Sequence, residues 1–297
     1  MKKLQGVGTA LITPFQKDRS IDWLVLERLI EKQIKAGVSF LVPCGTTGES
    51  PTLFLAEHVK VIANTVKSVN GRVPVIAGTG SNSTAEAVHL AKKAKRAGAD
   101  GILVVSPYYN KPMPAGFRDY YRQVAAVGLP VILYDIPGRT AKGVPTDVIL
   151  ELAREGSIAG IKWASGDVNQ LMEIIINKPE NFSVLSGDDN LAYLLMMLGG
   201  DGVISVVSNL VPAEMTEYIT MALAGNMSEA REKHYTLLPL MRAMFLETNP
   251  IPVKTALALC FPNFFHPILR SPMSLMEPGN QKKLEGVLEE CNLLNHC

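Results

Sequence analysis

Lys162 stands in an unusual setting for a lysine. It lies within Ser157-Ile158-Ala159-Gly160-Ile161-Lys162-Trp163-Ala164, where an ammonium must leave water unless it finds a partner or gives up its proton. A desolvated lysine with a lowered pKa is what imine formation with a keto substrate requires, because the neutral amine is the nucleophile. The same residue reads equally as a strand-end lysine that snorkels or pairs with a carboxylate. Lys254, in Pro252-Val253-Lys254, is a rival amine; it falls outside the strand-like runs, and that position predicts that it faces solvent.

A second cluster is Gly45-Thr46-Thr47-Gly48-Glu49-Ser50. Its glycines permit a tight turn with exposed backbone N–H groups, and the hydroxyls beside them can bind a small carboxylate. An ordinary Gly-rich turn leading into a helix has the same composition. The cluster lacks the Gly-Lys-Ser/Thr ending of a phosphate loop, and Gly78-Thr79-Gly80-Ser81-Asn82-Ser83 lacks the last glycine of the dinucleotide fingerprint. No nicotinamide cofactor is expected. In Tyr134-Asp135-Ile136-Pro137-Gly138-Arg139-Thr140 a phenol can exchange protons and a guanidinium can grip a carboxylate at two points, although a lone tyrosine is more often a core residue. Ser106-Pro107-Tyr108-Tyr109-Asn110-Lys111-Pro112 sets two aromatics in a Pro-bounded loop that suits a site or plain interface packing. The histidines show no HExxH spacing, the four dispersed cysteines no CxxC, and no GxSxG elbow occurs. Neither a metal centre, a disulfide framework nor a serine hydrolase is expected, and a reducing cytoplasm fits.

The elements that must position these residues follow from periodicity. Apolar or β-branched runs at 6–13, 38–44, 73–79, 101–107, 130–136, 158–164, 182–187 and 202–207 read as eight strands, with helical patterns between them. From Asp22 to Ala36, Trp23, Leu26, Leu29, Ile30 and Ile34 share one face, and Thr84 to Ala97 follows Ser83 as an N-cap. Apolar strands joined by helical crossovers imply a parallel sheet covered on both sides. Eight such units in about 220 residues suit a closed (β/α)8 TIM barrel, an α/β fold that gathers reactive groups at the carboxyl ends of its strands. Each cluster above has that address. The chain divides into a catalytic barrel at 1–225 and a C-terminal helical region at 226–297, with loops at Asn249-Pro250-Ile251-Pro252 and from Ser271-Pro272 to Pro278-Gly279-Asn280. A net charge of +1 supplies no field for nucleic acid or an anionic membrane. No charge-free apolar run nears the roughly 18 residues of a membrane span.

GTTGE (45–49), PYYNKP (107–112), YDIPGRT (134–140), GIKWAS (160–165), LSGDD (185–189), GVISV (202–206) and NPIPVK (249–254) closely resemble the dihydrodipicolinate synthase family, and the match runs over essentially the whole chain. That family belongs to the pyruvate-dependent class I aldolases. The resemblance implies condensation of pyruvate with L-aspartate 4-semialdehyde to 4-hydroxy-tetrahydrodipicolinate, on the route to diaminopimelate and lysine, with no cofactor. Carried over by matching motif, it implies that Lys162 forms the imine and that Thr47 with neighbouring N–H groups holds the pyruvate carboxylate. Tyr134 would exchange protons during imine formation and cyclisation. Thr46 would link it to Tyr109, which in this family reaches in from a neighbouring subunit. Arg139 would pair with the semialdehyde carboxylate, and Gly187 and Ile204 would shape the surroundings of the lysine. Trp163 departs from the family, where an acidic residue commonly follows the lysine; strand alternation points it away from Lys162, towards the helices.

Some family members are inhibited by lysine at a cleft between subunits, and Ser50, His58, Asn82, Glu86 and Tyr108 resemble its lining. Pro51 and Leu55 stand where sensitive members commonly carry alanine and a histidine. The resemblance thus implies feedback inhibition with weakened affinity, and an assembly that is usually a tetramer of two tight dimers. One rival reading is a pyruvate aldolase for a sialic acid or 2-keto-3-deoxy sugar acid, against which Arg139 argues, because a sugar asks for hydroxyl-binding groups. Another is a silent barrel that binds a keto acid; Lys162, Tyr134, Thr46 and Tyr109 together argue against it.

Overall fold

The apolar runs form eight strands in a computed structural model that describes residues 3–294: β1 (Gly6–Ala10), β2 (Phe40–Val42), β3 (Ile76–Gly78), β4 (Gly101–Val105), β5 (Val131–Asp135), β6 (Gly160–Trp163), β7 (Ser183–Ser186) and β8 (Gly202–Ser205). Met1, Lys2, Asn295, His296 and Cys297 lie outside the described residues. All ladders are parallel, in the order β2-β1-β8-β7-β6-β5-β4-β3. The ring closes between β2 and β3, where the Leu41 N–H donates to the Pro74 carbonyl at 3.0 Å and the Gly78 N–H to the Pro43 carbonyl at 2.9 Å. Each strand lies inside its sequence-predicted run and is shorter; the residues past the carboxyl ends form the loops of the site.

Side-chain alternation sorts the strands into two cores. Val131, Leu133, Ile161, Trp163, Val184 and Val203 pack outwards against the helices. Ile132, Tyr134, Leu185 and Ile204 pack inside the barrel with Phe40, Val42, Ile76 and Leu103. Lys162, between Ile161 and Trp163, shares the inward parity. Trp163 is fully buried in the outer core, as its parity predicts.

Helix Trp23–Lys35 starts at Asp22, whose carboxylate accepts from the Val25 N–H at 3.0 Å, and buries Leu26, Leu29 and Ile30 with Trp23 and Ile34 at the rim. Ser83 caps Thr84–Ala97 as expected. Helix Pro212–Leu223 lays Met215, Tyr218 and Ile219 in the outer core, and Met227–Ala243, Ile251–Cys260 and Pro278–Glu290 follow. The loop read at 249–252 is confined to Asn249-Pro250. Ile251 and Pro252 already belong to the helix, since a proline in the first turn has no needed N–H to lose. That helix corrects the expectation for Lys254, which is carried inwards and is 1% exposed. No helix among the described residues is long and apolar enough to cross a membrane.

Candidate active site

Lys162 and Tyr134 are register partners across the β5–β6 ladder. Both are buried, and the Lys162 Nζ lies 4.2 Å from the centre of the Tyr134 ring. Burial lowers the amine's pKa to about 8; Asp188 and Asp189 oppose the shift and the Arg139 charge adds to it. Burial also raises the Tyr134 hydroxyl well above the phenol range, as does Asp188, while Arg139 and a hydrogen bond with Thr46 pull it back. An amine close to losing its proton therefore faces a phenol that keeps its own.

Gly187, just past β7, donates its N–H to the Trp163 carbonyl. A Cβ there would come within 2.7 Å of Ala164 Cβ and 3.2 Å of Lys162 Cε, so a bare backbone is what leaves the lysine its space. Ile204 is fully buried and shares the inner cluster with Tyr134 and Leu185.

The turn after β2 is tied down on both sides. The Gly48 N–H donates to the Gly45 carbonyl at 3.1 Å, and the Gly48 carbonyl accepts from Thr13 Oγ1 at 2.6 Å. Thr47 is buried, and its Oγ1 accepts from Asn249 Nδ2 at 3.0 Å. Arg139, in the short helical turn Pro137–Thr140, donates from Nη2 to the Asn249 carbonyl at 3.1 Å. Asn249 thus joins Thr47 to Arg139, a link that sequence reasoning missed because the segment reads as a loop.

Two further carboxylates, Asp188 and Asp189, act electrostatically on Lys162, although the sequence singles them out only within the LSGDD motif. Asp189 is buried and accepts from the Val206 and Val207 N–H groups at 3.0 Å each. Burial raises the Asp188 carboxyl and the Lys162 charge lowers it. Paired acids at the end of the strand beside the lysine's own strand were the available signal.

Lys254 is also a buried amine, its pKa lowered to about 8 by burial, with Glu49 pulling it back. Its nitrogen is taken up by Glu49 and the Ile268 carbonyl, whereas Lys162 has no ion-pair partner within 4.0 Å among the described residues. Geometry thus separates two lysines that chemistry alone leaves level.

Tyr109 does not join the cluster within one chain: it is 89% exposed at φ +71°. A cavity of about 360 Å³ is lined by Ser50, Pro51, Leu55, His58, Glu86 and Tyr108 together with Thr46 and Arg139. His58 Nε2 lies 2.7 Å from the Gly78 carbonyl oxygen. Asn82 is not in that lining; its carbonyl accepts from Asn110 Nδ2 at 2.7 Å and so anchors the loop that carries Tyr108 and Tyr109.

The profile of the dihydrodipicolinate synthetase family matches residues 3–291. A 4-hydroxy-tetrahydrodipicolinate synthase of Koribacter versatilis is 47% identical over 296 residues, which is 99% of this chain and 98% of that relative. The crystal structure of dihydrodipicolinate synthase from Aquifex aeolicus has a TM-score of 0.95 at 46% identity, covering 98% of this chain and 99% of that one. The crystal structure of the Cyanidioschyzon merolae protein with lysine bound has a TM-score of 0.93 at 36% identity and covers 98% and 99%. Similarity of this strength along almost the full length, in sequence and in fold, settles the assignment: the chain belongs to the dihydrodipicolinate synthetase family.

Proposed function

We propose that this chain condenses pyruvate with L-aspartate 4-semialdehyde to give 4-hydroxy-tetrahydrodipicolinate, and that Lys162 carries the reaction as an imine. The buried Lys162 amine, its pKa lowered to about 8 and set against the protonated Tyr134, is the observation on which this rests. The neutral amine adds to the keto carbon of pyruvate, and Tyr134 gives a proton to the departing hydroxyl. The imine nitrogen then acts as an electron sink, so loss of a methyl proton yields an enamine that attacks the aldehyde. Attack of the semialdehyde's own amine on the imine carbon closes the ring and frees Lys162.

Thr47 and the neighbouring backbone N–H groups that the turn leaves unengaged take the pyruvate carboxylate, and Arg139 takes that of the semialdehyde. Gly187 and Ile204 keep the lysine's surroundings open and apolar. Thr46, bonded to Tyr134, continues the proton path to Tyr109 of a neighbouring subunit. The exposure of Tyr109 supports that assignment, and the assembly we propose is a homotetramer of two dimers. In this reading the barrel at 1–225 holds the chemistry and the helical region at 226–297 braces it, in the cytoplasm. The cavity beside Arg139 is assigned to lysine as a feedback inhibitor: Glu86 offers a carboxylate to its α-ammonium, and the relative from Cyanidioschyzon merolae was solved with lysine bound.

A coupled assay with pyruvate and aspartate semialdehyde, run beside sialic acid cleavage and repeated with millimolar lysine, tests the substrate and the inhibitor. Borohydride with pyruvate tests the chemistry: one reduced pyruvate per chain on the peptide carrying Lys162 is expected, and label on another peptide overturns the assignment.

A further inference from the structure

Lys254 is a buried amine that the proposed chemistry does not use. It pairs with the equally buried Glu49, donates to the Ile268 carbonyl at 3.0 Å and lies 4.1 Å from the centre of the Phe15 ring. The Arg270 N–H donates to the second Glu49 oxygen at 3.1 Å, and the Arg270 guanidinium sits 4.5 Å from the centre of the same ring. The amine is thus 1% exposed with its nitrogen engaged by Glu49 and the Ile268 carbonyl.

The address of the pair gives it meaning. Glu49 ends the turn assigned to the pyruvate carboxylate and sits at φ +52°, a left-handed conformation that a non-glycine residue leaves unless it is held. Lys254 lies on the helix that follows Asn249, whose amide donates to Thr47. One segment therefore grips the turn twice, at Thr47 and at Glu49. A buried ion pair is a weak stabiliser beside apolar side chains of equal volume. What it supplies here is one fixed geometry for the turn.

We propose that Lys254 is a positioning residue for pyruvate, acting through Glu49 to lock the Thr46-Thr47 turn in the shape that receives the carboxylate. This role rests on the reading of pyruvate as substrate. Three variants test it: Glu49→Gln, which keeps the side chain's shape; Lys254→Met; and the double variant, which leaves no lone carboxylate behind. Each is compared with wild type by thermal unfolding, steady-state kinetics and borohydride trapping titrated with pyruvate.

The expected result is a KM for pyruvate raised about tenfold, with kcat reduced less than about threefold and trapping half-saturated at correspondingly higher pyruvate. A merely structural pair would lower the unfolding midpoint and the active fraction while leaving that KM alone. An unaltered pyruvate KM in the folded double variant overturns the proposal, as does loss of folded protein in all three. Wild-type protein that pyruvate and borohydride fail to label overturns the pyruvate reading itself. Labelled wild type with unaltered variants overturns only the role of Lys254.

Discussion

The amine proposed as catalytic, Lys162, sets reactivity against stability. The native amine titrates near 8 because it is buried, and an unfolded lysine near 10.4. Below pH 8 both forms are charged and the fold carries the full cost of burying an ammonium. As pH rises from about 8 to about 10.4 the unfolded chain holds the extra proton and stability climbs. Lys162→Met is therefore expected to abolish turnover and yet raise the unfolding free energy at pH 7 by up to about 3 kcal/mol. That advantage should shrink to nothing by about pH 10.4, and denaturant melts across this range would show it; a destabilised variant at pH 7 would count against the buried charge. For the same reason, imine trapping at limiting pyruvate should speed up through about pH 8 and then level off. The setting of Lys162 was legible in the sequence because it lies between Ile161 and Trp163 in an apolar strand run. That run left a snorkelling or ion-paired lysine equally open, and it is the fold that buries the amine. The setting of Lys254 was not legible. Its helix is buried at every position from Ile251 to Leu257 and so shows no polar stripe, and two prolines disguise its start as a loop.

Strands set the parity of the site, and the loops after them decide whether it is open. The eight runs were readable because burial on both faces demands near-continuous apolar residues. Their carboxyl ends were less so, since Thr47, Gly187 and Arg139 leave the ladder for contacts that come from distant segments, such as the Asn249 bonds to Thr47 and Arg139. The loop after β7 shows the tolerance involved. A methyl group at position 187 would meet Ala164 Cβ at 2.7 Å and Lys162 Cε at 3.2 Å, so Gly187→Ala forces β6 and the loop apart or turns the lysine aside. Overpacking of this kind costs about 1–3 kcal/mol, while a displacement near 1 Å at the reacting atom can remove about 10²-fold in rate. The expected outcome is a folded protein with a modestly lower melting temperature and at least about 100-fold less imine trapping. Trapping at the wild-type rate would show that the loop yields without touching Lys162.

At the scale of the whole molecule, one chain leaves its proposed proton path unfinished. Tyr134 and Thr46 are in place, but Tyr109 stands 89% exposed, and Phe54, Leu55, Tyr108 and Met113 also expose apolar surface. Leu55 and Tyr108 line the same cavity as Thr46 and Arg139, which joins that part of the exposed apolar surface to the cavity beside Arg139. From sequence the Tyr-Tyr loop reads equally as site or interface, since local composition does not say which chain an aromatic serves. Phe54 offers a clean test. It is 79% exposed and occupies the N-cap of helix Leu55–Val69, where aspartate is a favoured residue. Phe54→Asp therefore places a charge on the apolar face without harming the helix beneath it. Sedimentation is expected to show smaller species than wild type. Turnover should fall about 10²-fold or more, the typical worth of a positioned proton transfer, while Lys162 is still labelled by pyruvate and borohydride, since the proposed imine chemistry starts within one chain. Tyr109→Phe should match that loss without changing the assembly. A dissociated Phe54→Asp protein that keeps wild-type turnover would show that each chain completes its own proton path.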